Sequence, residues 1–330
     1  MEPEKYLLID CDPGVDDCFA IMMALTQRPK IKIVAITCVN GNVGIKQVAI
    51  NAVRVVKVCE MLDQVPIYQG CADPVLLMPG SIDSSFYHGK DGMGDVPDIE
   101  PRSDENLLRH VQDEHAVNAI IRLSKKYEGK LQILAIGPLT NVALATRLDP
   151  DLPKRLKSVH ILGGTIRGHG NVTPCSEYNF FTDPEAAQMV LRGFSHRCPV
   201  QILTYEVTTD HPLPPHWFDD LLEKDSAKCN FFREVYKTPK MLELEDISAG
   251  ISTGYIICDA YIVSVVLRPD CIIKSRKLRM GVELGGNLAR GSLVIDHKSK
   301  GSPHLTEGAI ELIEEIDVGK FKELVAETLA

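Results

Sequence analysis

Four aspartates (Asp10, Asp12, Asp16 and Asp17) fall within the eight residues DCDPGVDD, directly after the apolar run YLLI. Carboxylates that close together repel, and any that is even partly buried must take up a proton or find a compensating cation. Pro13 and Gly14 break the chain and apolar periodicity resumes at Cys18, so Asp16 and Asp17 sit at or near a helix N-terminus, where carboxylates are favoured on their own account. That leaves Asp10 and Asp12, which alternate across the end of a strand. A hard cation accounts for the whole group, because Ca²⁺ or Mg²⁺ collects oxygen ligands and lowers the pKa of nearby carboxylates and water. Far downstream, Asp259 is a lone acid inside the apolar helical run GYIICDAYIVSVVL (254–267), where an unpaired charge is costly. Either a distant Lys or Arg pairs with it, or it is a further ligand of the same cation.

The elements that must position these acids are legible as apolar runs of strand length: YLLID (6–10), IKIVAIT (31–37), LQILAIG (131–137), SVHILGG (158–164) and VQILTYE (200–206). Between them lie DCFAIMMALTQ (17–27), VAINAVRVVKVCEML (48–62), HAVNAIIRLSKKY (115–127) and PEAAQMVLRG (184–193), all with helical periodicity. Such alternation predicts an α/β fold, an open and mostly parallel sheet flanked by helices. Ligands bind such sheets at the carboxyl ends of the strands. One site therefore gathers the aspartates, Asn40 and Asn42, GPLTN (137–141) and GGTIRGHGN (163–171). A single unit over 1–330 is expected, with lid-like excursions at about 78–101 and 210–255. The final EGAIELIEEIDVGKFKELVAETLA reads as a strand and a surface helix.

Composition excludes several classes of function. With 36 Lys and Arg against 45 Asp and Glu, the net charge of −9 argues against a nucleic-acid surface. The 10 cysteines are scattered, without a CxxC pair, which suits free thiols in a reducing compartment. No apolar stretch is long enough to span a membrane and the N-terminus lacks the pattern of a secretory signal, so the expectation is a cytoplasmic protein without a membrane partner.

Two metal motifs fit poorly. A calcium loop would place Glu where Ile21 stands. The haloacid-dehalogenase phosphatase pattern DxDx[TV], with its Asp nucleophile and Mg²⁺, has Gly14 at its fifth position here. Taken together, DCDPGVDD, GPLTNVALA, EYNFFTDPEAA and the Asp259 run resemble, colinearly, the inosine-uridine nucleoside hydrolase family. The resemblance implies a Rossmann-like nucleoside hydrolase fold, a tightly held Ca²⁺, and cleavage of the N-glycosidic bond of ribonucleosides to ribose and free base, in purine or pyrimidine salvage. It implies that Asp12, Asp17, Asp259 and the Ile136 carbonyl ligate calcium, with Asp10 holding Asp12 from behind. It places Asp16 and Asn179 on the ribose 2′- and 3′-hydroxyls, Asn171 and Glu177 on the 5′-hydroxyl, Asn42 on metal and sugar, and His88 on a loop that closes over the site. Asp12 would take the proton of a metal-bound water, and a homodimer or homotetramer is expected.

The resemblance breaks at the leaving group. Many members have a histidine just before the last metal aspartate, proposed to protonate the base; this chain has Cys258 and would belong to a branch with Cys in that place. A neutral thiol is a feeble acid. Three outcomes follow: Cys258 assists directly; a group from 210–255 (His211, His216, Trp217, Tyr236 or Tyr255) does so; or catalysis is weak or lost and the protein binds nucleosides or ribose.

Overall fold

A computed structural model describes residues 5–27, 31–77, 83–298 and 302–330. The first five positions of the expected excursion 78–101 lie outside the described residues. The strands are β1 (Lys5–Cys11), β2 (Ile31–Cys38), β3 (Ile67–Gln69), β4 (Val111–Gln112), β5 (Leu131–Ala135), β6 (Ser158–Leu162), β7 (Val200–Leu203), β8 (Ile272–Leu278), β9 (Met280–Val282), β10 (Leu293–Ile295) and β11 (Ile310–Ile316). Nine of them form one sheet in the order β4-β3-β2-β1-β5-β6-β7-β11-β8, while β9 and β10 pair separately. Every neighbour in the large sheet is parallel except β8, which runs antiparallel to β11.

This architecture follows from burial on both faces. Leu7 and Ile9 of β1 point into one apolar cluster, with Phe19, Ile21 and Met22 of the helix Val15–Thr26 and Ile262 and Val265 of the helix Cys258–Leu267. Leu8 points the other way, among Ala35, Ile133, Val142 and Ile120. A strand covered on both sides has no polar face to show, which is why YLLI carries no alternation. The two helices in the first cluster are buried almost all round, so Asp17 and Asp259 in their first turns are acids driven into the interior by their apolar neighbours.

From β1 the chain winds outward to β4 and then returns, with β5 on the other flank of β1. That reversal leaves a crevice beyond the carboxyl ends of β1 and β5, where neighbouring crossovers diverge. Asp12 and Ile136 follow those two strand ends.

The expected helices and the C-terminal strand and helix form, the latter as β11 and Val318–Thr328. The expected strand VQILTYE (200–206) is too long: β7 stops at Leu203 and Tyr205–Asp210 is helical. Glu206 explains the turn. Its Oε1 accepts from Thr165 Oγ1 and from the N–H groups of Ile166 and Arg167, a demand from a distant loop that local hydrophobicity does not carry. β8 escapes the sequence because the edge strand IIKSRKL has no fully buried residue.

The stretch 210–255 holds the helices Pro215–Leu222, Ala227–Val235 and Lys237–Ser248. Their inner side is core. The Phe218 ring lies 6.2 Å from Phe19, 5.6 Å from Tyr236 and 6.1 Å from Tyr255, and each of these side chains is buried. Phe218→Ala should therefore cost about 3–5 kcal/mol of folding stability in urea denaturation, as for other large buried aromatics. A loss of only about 0.5 kcal/mol, the size of a surface change, would mean that this segment stands outside the cooperative core.

Candidate active site

A cavity of about 400 Å³ opens at the crevice. Its walls include eleven residues expected at the site, Asp12, Asp16, Asp17, Asn42, His88, Ile136, Asn171, Glu177, Asn179, Cys258 and Asp259, but neither Asp10 nor Asn40. Asp10 lies behind the wall, where its Oδ1 accepts from Thr37 Oγ1 (2.6 Å) and Asn141 Nδ2 (2.9 Å). Its partners are thus Thr37 and Asn141, and Asp12 is held by other groups.

Asp12 leaves the end of β1 and is locked from three sides. Its Oδ2 accepts the Asn42 backbone N–H at 2.9 Å. A Cβ on Gly41 would stand 1.9 Å from Oδ2, and one on Gly137 would stand 2.5 Å from Oδ1, so both flanking positions must be glycine. The second oxygen, Oδ1, is buried and has no hydrogen-bond partner. Asp17 reaches back from the first helical turn: its Oδ1 accepts Asp12 N–H (3.3 Å) and its Oδ2 accepts Gly14 N–H (3.0 Å) and Asn42 Nδ2 (3.2 Å). This is the reciprocal half of a capping box, which uses an acid to satisfy backbone groups ahead of the helix. Gly14 is needed for a different reason. A Cβ there would meet Asn42 Nδ2 at 2.6 Å and His88 Nδ1 at 2.7 Å, so the residue that breaks the phosphatase pattern is the one that lets two cavity side chains approach.

His88, in the helix Ser85–His88, accepts the Val15 N–H on Nδ1 at 3.1 Å, which leaves its proton on Nε2. Burial lowers its pKa, and Asp16, 3.9 Å away, opposes that shift without reversing it. On the opposite wall, Glu177 caps the helix Tyr178–Thr182 by accepting from Asn179 N–H (2.7 Å) and Phe180 N–H (3.1 Å), and it also takes Gly164 N–H (2.7 Å). Asn179 Nδ2 donates to the Ile136 carbonyl at 3.0 Å, and Asn171 Oδ1 accepts Tyr178 N–H at 3.0 Å. Amide and carboxylate oxygens therefore line this end with fixed orientations.

Carboxylate oxygens of Asp16, Asp17 and Asp259 come within 4.8 Å of one another. Asp12, whose Oδ1 has no partner among the described residues, lines the same cavity. Among the described residues, no Lys or Arg lines the cavity. Burial first, and neighbouring aspartates next, push Asp12, Asp17 and Asp259 well above the usual carboxylate range. A donor set made only of oxygens, with a buried orphan among them, fits a hard divalent cation and suits zinc or copper poorly.

The other end of the cavity was not foreseen. Phe86, Tyr87, Tyr205, Thr208, Glu243, Asp246 and Ile256 line it with Cys258. Cys258 Sγ contacts Thr208 Oγ1 at 3.7 Å, and burial drives the thiol far above its usual range, so it stays protonated. Of the groups expected from 210–255, none lines the cavity. Tyr236 and Tyr255 are packed in the aromatic cluster, Trp217 stacks on Phe218, His211 Nδ1 is 2.7 Å from the Val207 carbonyl oxygen, and His216 is exposed.

Among solved structures, the chain is similar to an inosine-guanosine nucleoside hydrolase, with a TM-score of 0.86 and 29% identity over 98% of each chain. An open sheet with its polar cavity at the β1/β5 reversal, matched over nearly the full length, is the nucleoside hydrolase fold. The sequence profile described as inosine-uridine preferring nucleoside hydrolase matches residues 7–323. The chain is 34% identical to uridine nucleosidase 1 of Arabidopsis thaliana over 81% of its length and 75% of that protein's. It is 31% identical to the pyrimidine-specific ribonucleoside hydrolase RihB of Escherichia coli over 90% of its length and 88% of that protein's. The chain belongs to the inosine-uridine preferring nucleoside hydrolase family, and it is a ribonucleoside hydrolase. Membership decides against the phosphatase reading; among the described residues, no helix is long and apolar enough to cross a membrane.

Burial also raises Asp10, Glu177 and Glu243 to about 7. An acid held above its ordinary value favours the folded state while protonated; that contribution is complete below about pH 4 and disappears as pH rises through about 7. Chelator-treated protein should therefore lose melting temperature between about pH 5 and pH 8. Added Ca²⁺ should raise the melting temperature by more at the higher pH, because ligating carboxyls must shed their protons. A calcium-induced shift of equal size at both ends of the range would contradict the reading of the Asp12, Asp17 and Asp259 cluster as a divalent cation site.

Proposed function

We propose that the protein is a Ca²⁺-dependent hydrolase of ribonucleoside N-glycosidic bonds, releasing ribose and free base, with Asp12 as general base. The observation that carries this reading is the state of Asp12: a buried carboxylate in the cavity wall, clamped through one oxygen, with the other oxygen unpartnered. Asp12, Asp17, Asp259 and the Ile136 carbonyl would hold the ion, Asp16 standing close enough to share it. When bound, the ion supplies charge that orients a vicinal diol and acidifies water.

The chain's own residues do the rest. Asp16 and Asn179 would take the 2′- and 3′-hydroxyls, and Asn171 and Glu177 the 5′-hydroxyl. Asn42, whose side-chain amide donates to the Asp12 carbonyl and to Asp17, would orient the sugar face. His88, neutral and with its proton on Nε2, would donate from the closing loop. Breaking the glycosidic bond leaves positive charge on the sugar, and carboxylates and amide oxygens fixed beforehand stabilise it as it develops. The bonding pair leaves with the base nitrogen; water adds to C1′ and gives its proton to Asp12. The relatives' names span uridine, pyrimidine and inosine-guanosine substrates, which supports ribonucleosides as a class.

Asp12→Asn should lower ribose release from inosine, uridine, adenosine and cytidine by about 1,000-fold, within the range of general-base effects. Calcium affinity, read by calorimetry, should fall less in Asp12→Asn than in Asp17→Ala. Undiminished turnover in Asp12→Asn would remove it as the base. Ribose formed from none of the four by the unaltered enzyme would overturn the reading as a whole.

A further inference from the structure

A nucleobase is a poor leaving group unless it is protonated as it departs, and the groups so far described do not supply that proton well. The Cys258 thiol is held far above neutrality. His88 is neutral and spends Nδ1 on the Val15 N–H. The region 210–255 nevertheless brings two acids to the cavity, Asp246, which is exposed, and Glu243, which is buried. Glu243, on the inner side of the helix Lys237–Ser248, is 6% exposed and lines the wall beside Tyr87. Its Oε1 accepts from Tyr87 Oη at 2.8 Å and from Ile256 N–H at 3.3 Å, and its Oε2 is paired with Tyr236 Oη. Among the described residues no Lys or Arg pairs with it, so it is not half of an ion pair. A buried carboxyl chained to a phenol that borders a cavity can pass a proton along the chain, since a tyrosine hydroxyl both donates and accepts.

We infer that Tyr87 and Glu243 together are the proton source for the departing base, an assignment that rests on the hydrolase reading above. As the C1′–N bond breaks and its electron pair moves to the base nitrogen, the Tyr87 hydroxyl gives its proton to the base. The Glu243 carboxyl proton moves to the Tyr87 oxygen. The glutamate left behind is stabilised by Tyr236 O–H and Ile256 N–H. Water adds to C1′ and its proton goes to Asp12, so the cycle closes when solvent carries one proton from Asp12 back to Glu243. Burial pushes Glu243 up to about 7 against the pull of its three hydrogen bonds, which leaves an acid matched to neutral pH.

The test separates chemistry from structure by changing the leaving group. p-Nitrophenyl riboside expels a stable phenolate that needs no proton, whereas inosine and uridine do. In Tyr87→Phe and Glu243→Gln, kcat on the nucleosides should fall by about 100-fold or more relative to kcat on the aryl riboside, the size expected for loss of a general acid. The double variant should lose little more than either single one, because the two groups act as a unit. Losses of equal size on both kinds of substrate would reduce the pair to a structural tie between loop and helix and overturn the inference. Tyr87→Phe keeps the ring and its packing, so it decides the question should Glu243→Gln fail to fold. If the unaltered enzyme cleaves neither kind of substrate, the hydrolase reading has failed, and not this assignment alone.

Discussion

Negative charge concentrated where water is scarce is the constraint on which the rest of the molecule depends. Asp12, Asp17 and Asp259 are each all but excluded from solvent. They face Asp16 across a cavity that, among the described residues, no Lys or Arg lines. Left to themselves, groups so placed protonate, and burial does raise all three of them. The apolar helices that carry Asp17 and Asp259 bury them for reasons of packing, with Phe19 and Met22 on one and Ile262 and Val265 on the other drawn into the same cluster as β1. Hydrophobic burial here maintains an electrostatic imbalance that a divalent cation and an electron-poor sugar can relieve.

Holding that imbalance in one geometry takes rigid support, and the motifs near the site supply it in places that are not themselves in the cavity. Asn141, from GPLTN, donates to Asp10 Oδ1 and to the Cys38 carbonyl, and its Oδ1 accepts Cys71 N–H, so one buried amide ties the ends of β1 and β2 to the loop beyond β3. Asp183, from FFTDPEAA, accepts from Thr140 Oγ1 at 2.6 Å, from Val75 N–H at 2.8 Å and from Ala186 N–H at 3.0 Å. It caps one helix while fastening the start of another. Removing either side chain would leave several buried polar groups without partners, each costing about 1–3 kcal/mol. Conspicuous polar residues in these motifs therefore divide between those that touch the cavity and those that hold its walls.

The ribose and cation end was legible in the sequence because its residues sit in local patterns. Asp12, Asp16 and Asp17 follow an apolar strand within a few positions, Asn42 follows the next strand, and Glu177 precedes Asn179 and a short helix whose N–H groups it caps. Strand ends in a parallel sheet must converge, so listing them amounts to listing a site. Two features resisted such reading. Asp10 looks like one more member of the aspartate cluster, yet it lies inside β1 rather than beyond its end, and Thr37 and Asn141 hold it behind the wall. Strand β7 looked longer than it is because Thr204 and Tyr205 suit a strand, and the demand of the loop at 165–167 on the Glu206 carboxylate is not visible in the local sequence.

The base end was hidden for a different physical reason. KTPKMLELEDIS carries Glu243, Glu245 and Asp246 close together, and nothing in their order marks which one turns inward; the structure buries Glu243 and leaves the other two exposed. The distinction arises only when that helix packs against Tyr87 from a distant segment, while Tyr236, at its own start, pairs with the other carboxylate oxygen. The aromatic residues that draw the eye in the same stretch, Phe218, Tyr236 and Tyr255, are used up in mutual packing and in anchoring the helices to Phe19. The Cys258 end of the cavity is thus built from tertiary contacts between segments, while the aspartate end is built from strand termini. The two ends of the cavity are assembled from different parts of the fold and answer to different packing constraints, so a change at Cys258 leaves the strand-end residues Asp12, Asp17 and Asn42 in their own hydrogen bonds.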